Sequence, residues 1–561
     1  MKLNINSIKF RDITWFLAMV LVIALANLLL YGFFYRLDLT EDKRYSISDA
    51  SRKILSTLKG PVFVEVYLEG EFPAGFERLQ RSIRETLDEF RACSGDKLDY
   101  QFVDPSAAPD PKTRNKTYQQ LAKLGLQPTN LMVKQGAEQV QKIIFPGAVI
   151  RVKGREIPVQ LLKGNQAASP GERLNQSVEG IEYELANGIK SATQTAVSRI
   201  AVLTGHGEAT DRQMQDFGLT LRQFYDVSKV DLTVVENLSE YDLAVLIKPR
   251  LTFSEFDKFK LDQFLVKGGK LLLLLDGIRA ELDSIKPDGS LSFPYNTNLD
   301  DLLFHYGVRL NADLLLDMNC GAIPLVVGYL GDKPETRLVP WRFYPVLNNF
   351  GKHPIVRNMD ALYGRFVSTL DTSISPGIKK TPLIMSSGYS RILASPVRLS
   401  FNEARLNPQP EQYKKQDLPV AYLLEGRFTS HYQNRMLPDA KDKLSFRESD
   451  KKSAMVVVGD GDIARNDTNK AGDFFALGYD RFLRTTFANK DFLLNSIAYL
   501  LDENGVILAR NKTIALRPLD LPRIGREKIW WQSVNVAGPV LLVLIFALVR
   551  LWLRNRRYSL A

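Results

Sequence analysis

The chain has 561 residues, enough for about three domains, and its 45% hydrophobic and 24% charged residues are ordinary for globular ones. The formal net charge of +11 is dispersed, with no internal basic run longer than pairs such as Lys379-Lys380 and Lys451-Lys452. No basic face interleaved with aromatic platforms is concentrated anywhere, which argues against nucleic acid as a partner, and without a G-x-x-x-x-G-K-[ST] loop the chain cannot hydrolyse ATP by that route.

In chain order, the first feature is "ITWFLAMVLVIALANLLLYGFF", Ile13 to Phe34, 22 residues without a charge. At about 1.5 Å per residue this spans the roughly 30 Å core of a bilayer. "ALA" at Ala24 to Ala26 mimics a signal-peptidase site, but the apolar run continues past it, so residues 1–36 are expected to be a retained anchor. Ser48 caps a predicted helix, Ala50 to Leu58. "VFVEVYL" reads as a strand, Phe76 to Cys93 as an amphipathic helix and "KLDYQFVDP" as a second strand. A helix near Tyr118 to Leu124 and two further β-like runs complete the order β-α-β-α-β-β. That order predicts a thioredoxin-like domain over residues 37–165. The turn after its first strand, "EGEFPAG", holds no cysteine where a redox pair would sit, so the domain is empty as an oxidoreductase. Cys93 and Cys320 are the only cysteines, and the sequence leaves their pairing open.

A linker helix is expected within 166–197, and a second α/β domain over 198–505. "RIAVLTGHGE", "KVDLTVV", "YDLAVLIKP" and "KLLLLLD" alternate with the helices "MQDFGLTLRQFY" and "SEFDKFKLDQFLVKGG", which predicts a parallel sheet covered on both faces. From about 277 to 452 the pattern lapses into an insertion rich in proline and tyrosine, then resumes with "AMVVVGDGD" and "KDFLLNSIAYLL". An extended arm is expected over 506–529 and a second membrane helix within 530–561. Trp530 and Trp531 would mark the membrane interface, and Arg550, Arg554, Arg556 and Arg557 follow the span. Basic residues flank the first span equally, so these arginines decide the orientation. Both termini are expected in the cytoplasm, with the body between them periplasmic.

Three strand ends of the second domain converge on one sheet edge. They carry Gly205, His206, Gly207 and Glu208; Asp276; and Asp460 and Asp462 between glycines. A histidine with several carboxylates suits a ligand, a divalent cation or proton transfer. The same residues also serve as ordinary turns leaving parallel strands. His305, His353 and His431 lie in the insertion without ligand spacing, and neither H-E-x-x-H nor G-x-S-x-G occurs. These seven positions are therefore candidate ligand-binding residues; no catalytic residue, metal or cofactor is assigned.

The ordered series "DLTEDKRYSIS", "FVDP", "VLTGHGE", "YDLAVLIKPRLTFSEFDKFKLDQFLVKGGKLLLLLD", "FHYGVRLNADLLLD" and "VVVGDGD", closed by the final apolar helix and its arginine tail, resembles the gliding-motility-associated ABC transporter auxiliary, or substrate-binding, proteins of the GldG type. The resemblance implies a membrane-bound, non-catalytic accessory subunit working with a separate permease and ATPase in gliding bacteria. It also implies a flavodoxin-like or amidotransferase-like second domain without a nucleophile. Two other readings remain: a tether or sensor of an envelope component, and a hydrolase using His206, Glu208 and the aspartates.

Overall fold

The computed structural model describes residues 14–25, 27, 46–135, 138–162, 169–194, 197–435, 446–469, 472–502, 505–511 and 521–558. It is a mixed α/β structure with several sheets. Residues 1–512 and 513–561 form two separate compact units. Of the first apolar run, Thr14–Leu25 is helical; most of the rest of that predicted span lies outside the described residues.

The first sheet is built as its alternation requires. Strand β1 (Val62–Val66) buries Val62, Val64 and Val66 and leaves Phe63 and Glu65 partly open. Helix α1 (Asp49–Ser56) precedes it, with the Ser48 side chain accepting the Ser51 N–H as N-cap. Helix α2 (Ala74–Ser94) lays Leu79, Ile83, Leu87 and Phe90 on the sheet and ends at Gly95 in the left-handed region (φ 62°). Strand β2 (Leu98–Phe102) runs parallel to β1. Helix α3 (Pro111–Leu124) starts seven residues earlier than the sequence pattern marks, because Asp110 caps it and Pro111 fits its first turn. After a hairpin, β3 (Gly147–Val152) and β4 (Arg155–Gln160) complete the order β2-β1-β3-β4, with β3 antiparallel to both neighbours.

Helix α4 (Pro170–Thr193) opens with a full capping box between Ser169 and Glu172. Its Ile181, Leu185 and Ile189 join the core of the first sheet. Glu182 ties it to α1, accepting from Ser48 N (2.6 Å) and Ser51 Oγ (2.9 Å).

The main sheet contains β5 (Arg199–Thr204), β6 (Asp226–Asp231), β7 (Leu243–Ile247), β8 (Lys270–Leu274), β9 (Asn349–Phe350), β10 (Ile378–Met385), β11 (Pro419–Arg427) and β12 (Lys452–Val458). Its order is β9-β10-β11-β12-β8-β7-β5-β6. The five strands from β12 to β6 are mutually parallel. The expectation of a wholly parallel sheet is corrected at one side, where β11, β10 and β9 add in antiparallel sense. All three come from the segment read as an insertion. They pair directly, without the crossover helix that a parallel strand needs, so no helical periodicity announces them.

The parallel strands alternate between two cores. Ile200, Val202, Val245 and Ile247 face one side with α5 (Gln215–Leu221) and α7 (Asn489–Leu500). Ala201, Leu203, Ala244 and Leu246 face the other with α6 (Glu255–Val266). A further core around Trp341, Phe343 and Tyr344 gathers several of the remaining short strands and the long hairpin Cys320–Leu330 and Lys333–Leu347. Past α7 the chain returns to the first core through Ile507 and Ala509. Three contacts bind the two sheets' surroundings: Lys190 Nζ to Asp502 Oδ1 (2.9 Å), Asn358 Nδ2 to Glu179 Oε2 (2.7 Å) and Arg510 to the Arg357 carbonyl (2.9 Å).

The expected extended arm is corrected at both ends. Residues Val506–Asn511 form a 3-10 turn, and helix α8 (Leu521–Tyr558) begins nine residues before Trp530. Pro522 lies in its first turn, where a missing N–H costs nothing. Residues Arg523–Arg556 are long and apolar enough to cross a membrane.

Candidate functional site

The register of the parallel strands decides which loops meet. Leu274 pairs with Ile247 on one side and Val458 on the other, so the residues following all three leave the sheet together. Lys248 follows Ile247, Asp276 lies two beyond Leu274, and Gly459 to Asp462 follow Val458. The predicted acids Asp276, Asp460 and Asp462 do converge, and they converge on a lysine that pattern reading passed over. Lys248 Nζ lies 3.0 Å from Asp276 Oδ2 and 2.7 Å from Asp462 Oδ2, and its side chain is fully buried. Its backbone adopts φ 54°, uncommon for a residue with a side chain.

Each carboxylate oxygen in the group has a role. Asp276 Oδ1 accepts the Gly461 N–H (2.6 Å). Asp460 Oδ1 accepts the Asp462 N–H (2.7 Å) and caps the turn Gly461–Ala464, while its Oδ2 accepts the Arg365 N–H (2.8 Å). Asp462 Oδ1 meets Arg465 at 2.6 Å. Position 461 must be glycine for space: a Cβ there would fall 2.6 Å from that of Lys248. Arg365 holds Asp467 through two bonds of 2.8 Å, a planar fork. Glu281 then joins Arg250 (2.5 Å) and approaches Arg465 (3.9 Å).

Protonation follows from these neighbours. Burial pushes Asp460 well above the usual carboxylate range, and the nearby charges of Asp462 and Asp276 push it the same way. Burial also raises Asp276, against the pull of Lys248. Burial opposes ionisation of Asp462 as well, but Lys248 and Arg465 overcome it and hold the group down at about 2. Burial works against the charge on Lys248, yet its two carboxylates raise its pKa. The cluster is thus a lysine and an arginine locked on ionised Asp462, with the pKa of Asp460 raised by burial and by its acidic neighbours.

His206 and Glu208 belong to a separate group. The imidazole is buried and stacks on Phe253, with ring centroids 3.6 Å apart and planes within 6°. Its Nε2 lies 3.3 Å from Asp257 Oδ2, and Asp257 is further held by Ser254 (2.6 Å) and Lys260 (2.9 Å). His206 Nδ1 and Glu208 Oε1 face each other at 3.7 Å without a hydrogen bond. Gly205 (φ 113°) and Gly207 (φ 73°) turn the chain between β5 and α5. The carbonyl of His206 accepts the N–H groups of Arg250 (2.8 Å) and Leu251 (2.9 Å), so the loops after β5 and β7 are stitched together.

That stitch matters because strand order reverses between β5 and β7, with β6 added on the outer side of β5. Open α/β sheets bind ligands in the crevice at such a point. Here the His206 carbonyl ties the two loops together across it. Among the described residues, no group of three or more His, Cys, Asp or Glu is arranged to hold a metal ion. The residues that sequence reading missed are Lys248, Arg365 and Arg465. Only Lys248 carried a signal, as a lone charge at the end of the apolar run "LAVLI".

Comparison with known proteins gives three findings. Residues 198–496 match the family described as "ABC-type uncharacterized transport system", and residues 41–151 match a domain of unknown function. A relative from Borreliella burgdorferi, described as an uncharacterized protein, is 20% identical over 422 residues, covering 72% of this chain and 76% of the relative. A solved structure, the mmIFT52 N-terminal domain, aligns at 14% identity over 55% of this chain and 99% of its own; its TM-score of 0.31 is too low to argue from. The family match covers more than half of the sequence, including every strand of the main sheet and both groups of buried charges: the chain belongs to the ABC-type transport system auxiliary family, as the resemblance in its sequence implied.

Proposed function

We propose that this protein is a non-catalytic, membrane-anchored accessory subunit of an ABC transporter associated with gliding motility, working with a separate permease and a separate ATPase. Its body, in this reading, is periplasmic and both termini are cytoplasmic, with membrane lipid around α8 and around an anchor at the other end. The observation that carries the non-catalytic part is the closed carboxyl edge. Asp276 and Asp462 are spent on buried Lys248, Asp460 on backbone N–H groups, and the β5/β7 crevice on the His206 carbonyl.

The fold assignments belong to the same proposal. For the first domain, the order β2-β1-β3-β4 with β3 antiparallel supports a thioredoxin-like reading. For the second, the parallel strands taken in chain order lie 2-1-3-4-5, the order of flavodoxin-like sheets. The division at 37–165 and 198–505 rests on these two sheets. The seven candidate residues are then the shell of a ligand site, retained because its charges hold the loops together. A hydrolase is disfavoured by the same geometry, since a catalytic acid has to face open space.

The test is a mild-detergent pull-down of tagged full-length protein, with copurifying proteins identified and ATPase activity assayed. A permease and a P-loop ATPase in constant ratio are expected. Recovery with envelope components alone would replace this reading with that of a tether.

A further inference from the structure

The amino-terminal edge of the main sheet contrasts with its filled carboxyl edge. The first residues of β8 and β12, Lys270 and Lys452, and the residues just ahead of β5 and β7, Ser198 and Asp242, line an open cavity of about 870 Å³. That volume is in the range, about 300–1,000 Å³, of sites that hold small molecules. Its charge is one-sided: Lys190, Lys260, Lys267, Lys270, Lys451 and Lys452 line it against a single acid, Asp242. Lys190 is neutralised by Asp502 and Lys260 by Asp257, each at 2.9 Å. The Asp242 carboxylate is occupied too, accepting the Arg199 N–H at 2.9 Å.

A bland explanation covers part of this. Helices α4, α6 and α7 all end at the cavity, and a helix C-terminus attracts a positive charge. Lys190 in the last turn of α4 and Lys267 at the end of α6 answer two of those ends. Lys270 and Lys452 sit on strand starts and Lys451 just before one, and Lys451 and Lys452 are exposed. Burial depresses the pKa of Lys267, and the nearby Arg447 adds to it against the pull of Asp450. Lys451 and Lys452 thus add exposed positive charge that no helix end calls for, on an open cavity that an anion could enter.

We propose that this cavity binds a multiply charged anion of the phosphate-ester kind, either a soluble molecule or a lipid headgroup. The lining contains lysines and no arginine. Compact ammonium groups act as rotatable point charges, an established way of holding clustered phosphoryl oxygens. The site lies on the opposite edge of the sheet from the buried acids and does not depend on the transport reading.

The probe is pyrophosphate, titrated calorimetrically at low ionic strength into full-length protein in a non-ionic detergent. Saturable binding is expected, weakened by added salt and by about tenfold for each of K267Q, K451Q and K452Q, as loss of a charge-assisted hydrogen bond predicts. K123Q, on α3 and outside the cavity, should bind as the parent does, and unchanged melting of all four variants would show that they fold. Competition by vesicles containing phosphatidylglycerol, and not by phosphatidylcholine alone, would assign the phosphate to a lipid headgroup; no competition would assign it to a soluble ligand. Binding that survives in the triple variant K267Q/K451Q/K452Q overturns the proposal. So does the absence of any lysine-dependent binding to both pyrophosphate and anionic vesicles.

Discussion

Replacing Lys248 with methionine tests the central claim that the sheet-edge acids form an internal lock. Methionine keeps the apolar stem and removes only the ammonium, which touches Asp462 at 2.7 Å and Asp276 at 3.0 Å in a fully buried position. Breaking a buried pair by deleting one partner costs about 3–5 kcal/mol, because the remaining charge is left uncompensated. For a unit of this size that lowers the melting transition by about 3–8 °C. The pH dependence makes the test specific. Asp462, held at about 2, stabilises the parent above the ordinary carboxylate range, and that contribution is lost as pH falls toward 2. Without Lys248, burial raises the carboxyl pKa values in the variant. Its native state then takes up protons that the unfolded chain does not, so its deficit is largest near neutral pH and shrinks as pH falls. Thermal melts of full-length protein at pH 7.5 and 4.5 read both effects. A K248M variant that melts within about 2 °C of the parent at neutral pH, or whose deficit is the same at both pH values, refutes the reasoning.

Glycine 459 makes a second test: a Cβ there would fall on the Ser368 carbonyl oxygen, so G459A should cost about 1–3 kcal/mol or more in the same melts. R365K removes the fork on Asp467 while keeping the charge, and a loss of about 1–2 kcal/mol is expected; an unchanged melting point would mean the fork is not what holds the loop. Burial raises the pKa of both free thiols, that of Cys320 to about 11. Maleimide labelling of the folded protein should therefore be slow at pH 7 and accelerate toward pH 10, and fast labelling at pH 7 would contradict it. A green fluorescent protein joined after Ala561 should fluoresce and an alkaline phosphatase in its place should be inactive, if the C-terminus is cytoplasmic; the opposite pair of results reverses the proposed topology.

What the sequence disclosed, and what it hid, divides by whether the cause was local. The runs "LAVLI" and "KLLLL" read as buried strands because parallel strands covered on both faces are apolar throughout. Leu79, Ile83, Leu87 and Phe90 marked α2 by their spacing. Strands β10 and β11 were hidden inside a segment without clear period, since an antiparallel addition requires no helix to connect it. The convergence of Asp276, Asp460 and Asp462 was legible from two strand ends. Their partner Arg365 was not: it comes from 95 positions before Asp460, on a segment with no pattern of its own. His206 looked like a member of the same cluster because it also follows a strand. It turns toward Phe253 and Asp257, and the Gly205 and Gly207 dihedrals that send it there leave no trace in periodicity.

Those two groups together show how the chain's own charges are used at the carboxyl edge of the main sheet. A crevice at the β5/β7 reversal would place uncompensated strand-end dipoles and carboxylates in contact with solvent or ligand. Here Asp276, Asp460 and Asp462 lie buried, and burial of a charge is tolerated only with a partner. Lys248, Arg465 and the Arg365 and Asp462 amides supply partners from three different loops. The consequence is mechanical: loops that would move around a ligand are cross-linked to one another. The opposite edge carries exposed lysines and an open volume, so any response of the main domain to a small molecule is to be sought there. The two sheets are joined through Lys190, Asp502, Asn358 and Arg510. The combination K190Q/N358A should then loosen the joint between them without lowering the stability of either core, readable as hydrogen exchange rising in α4 and residues 505–511 while β7 and β8 stay protected. Uniform loss of protection across β7, β8 and α4 would show instead that the two sheets unfold as one unit and that no separable joint exists.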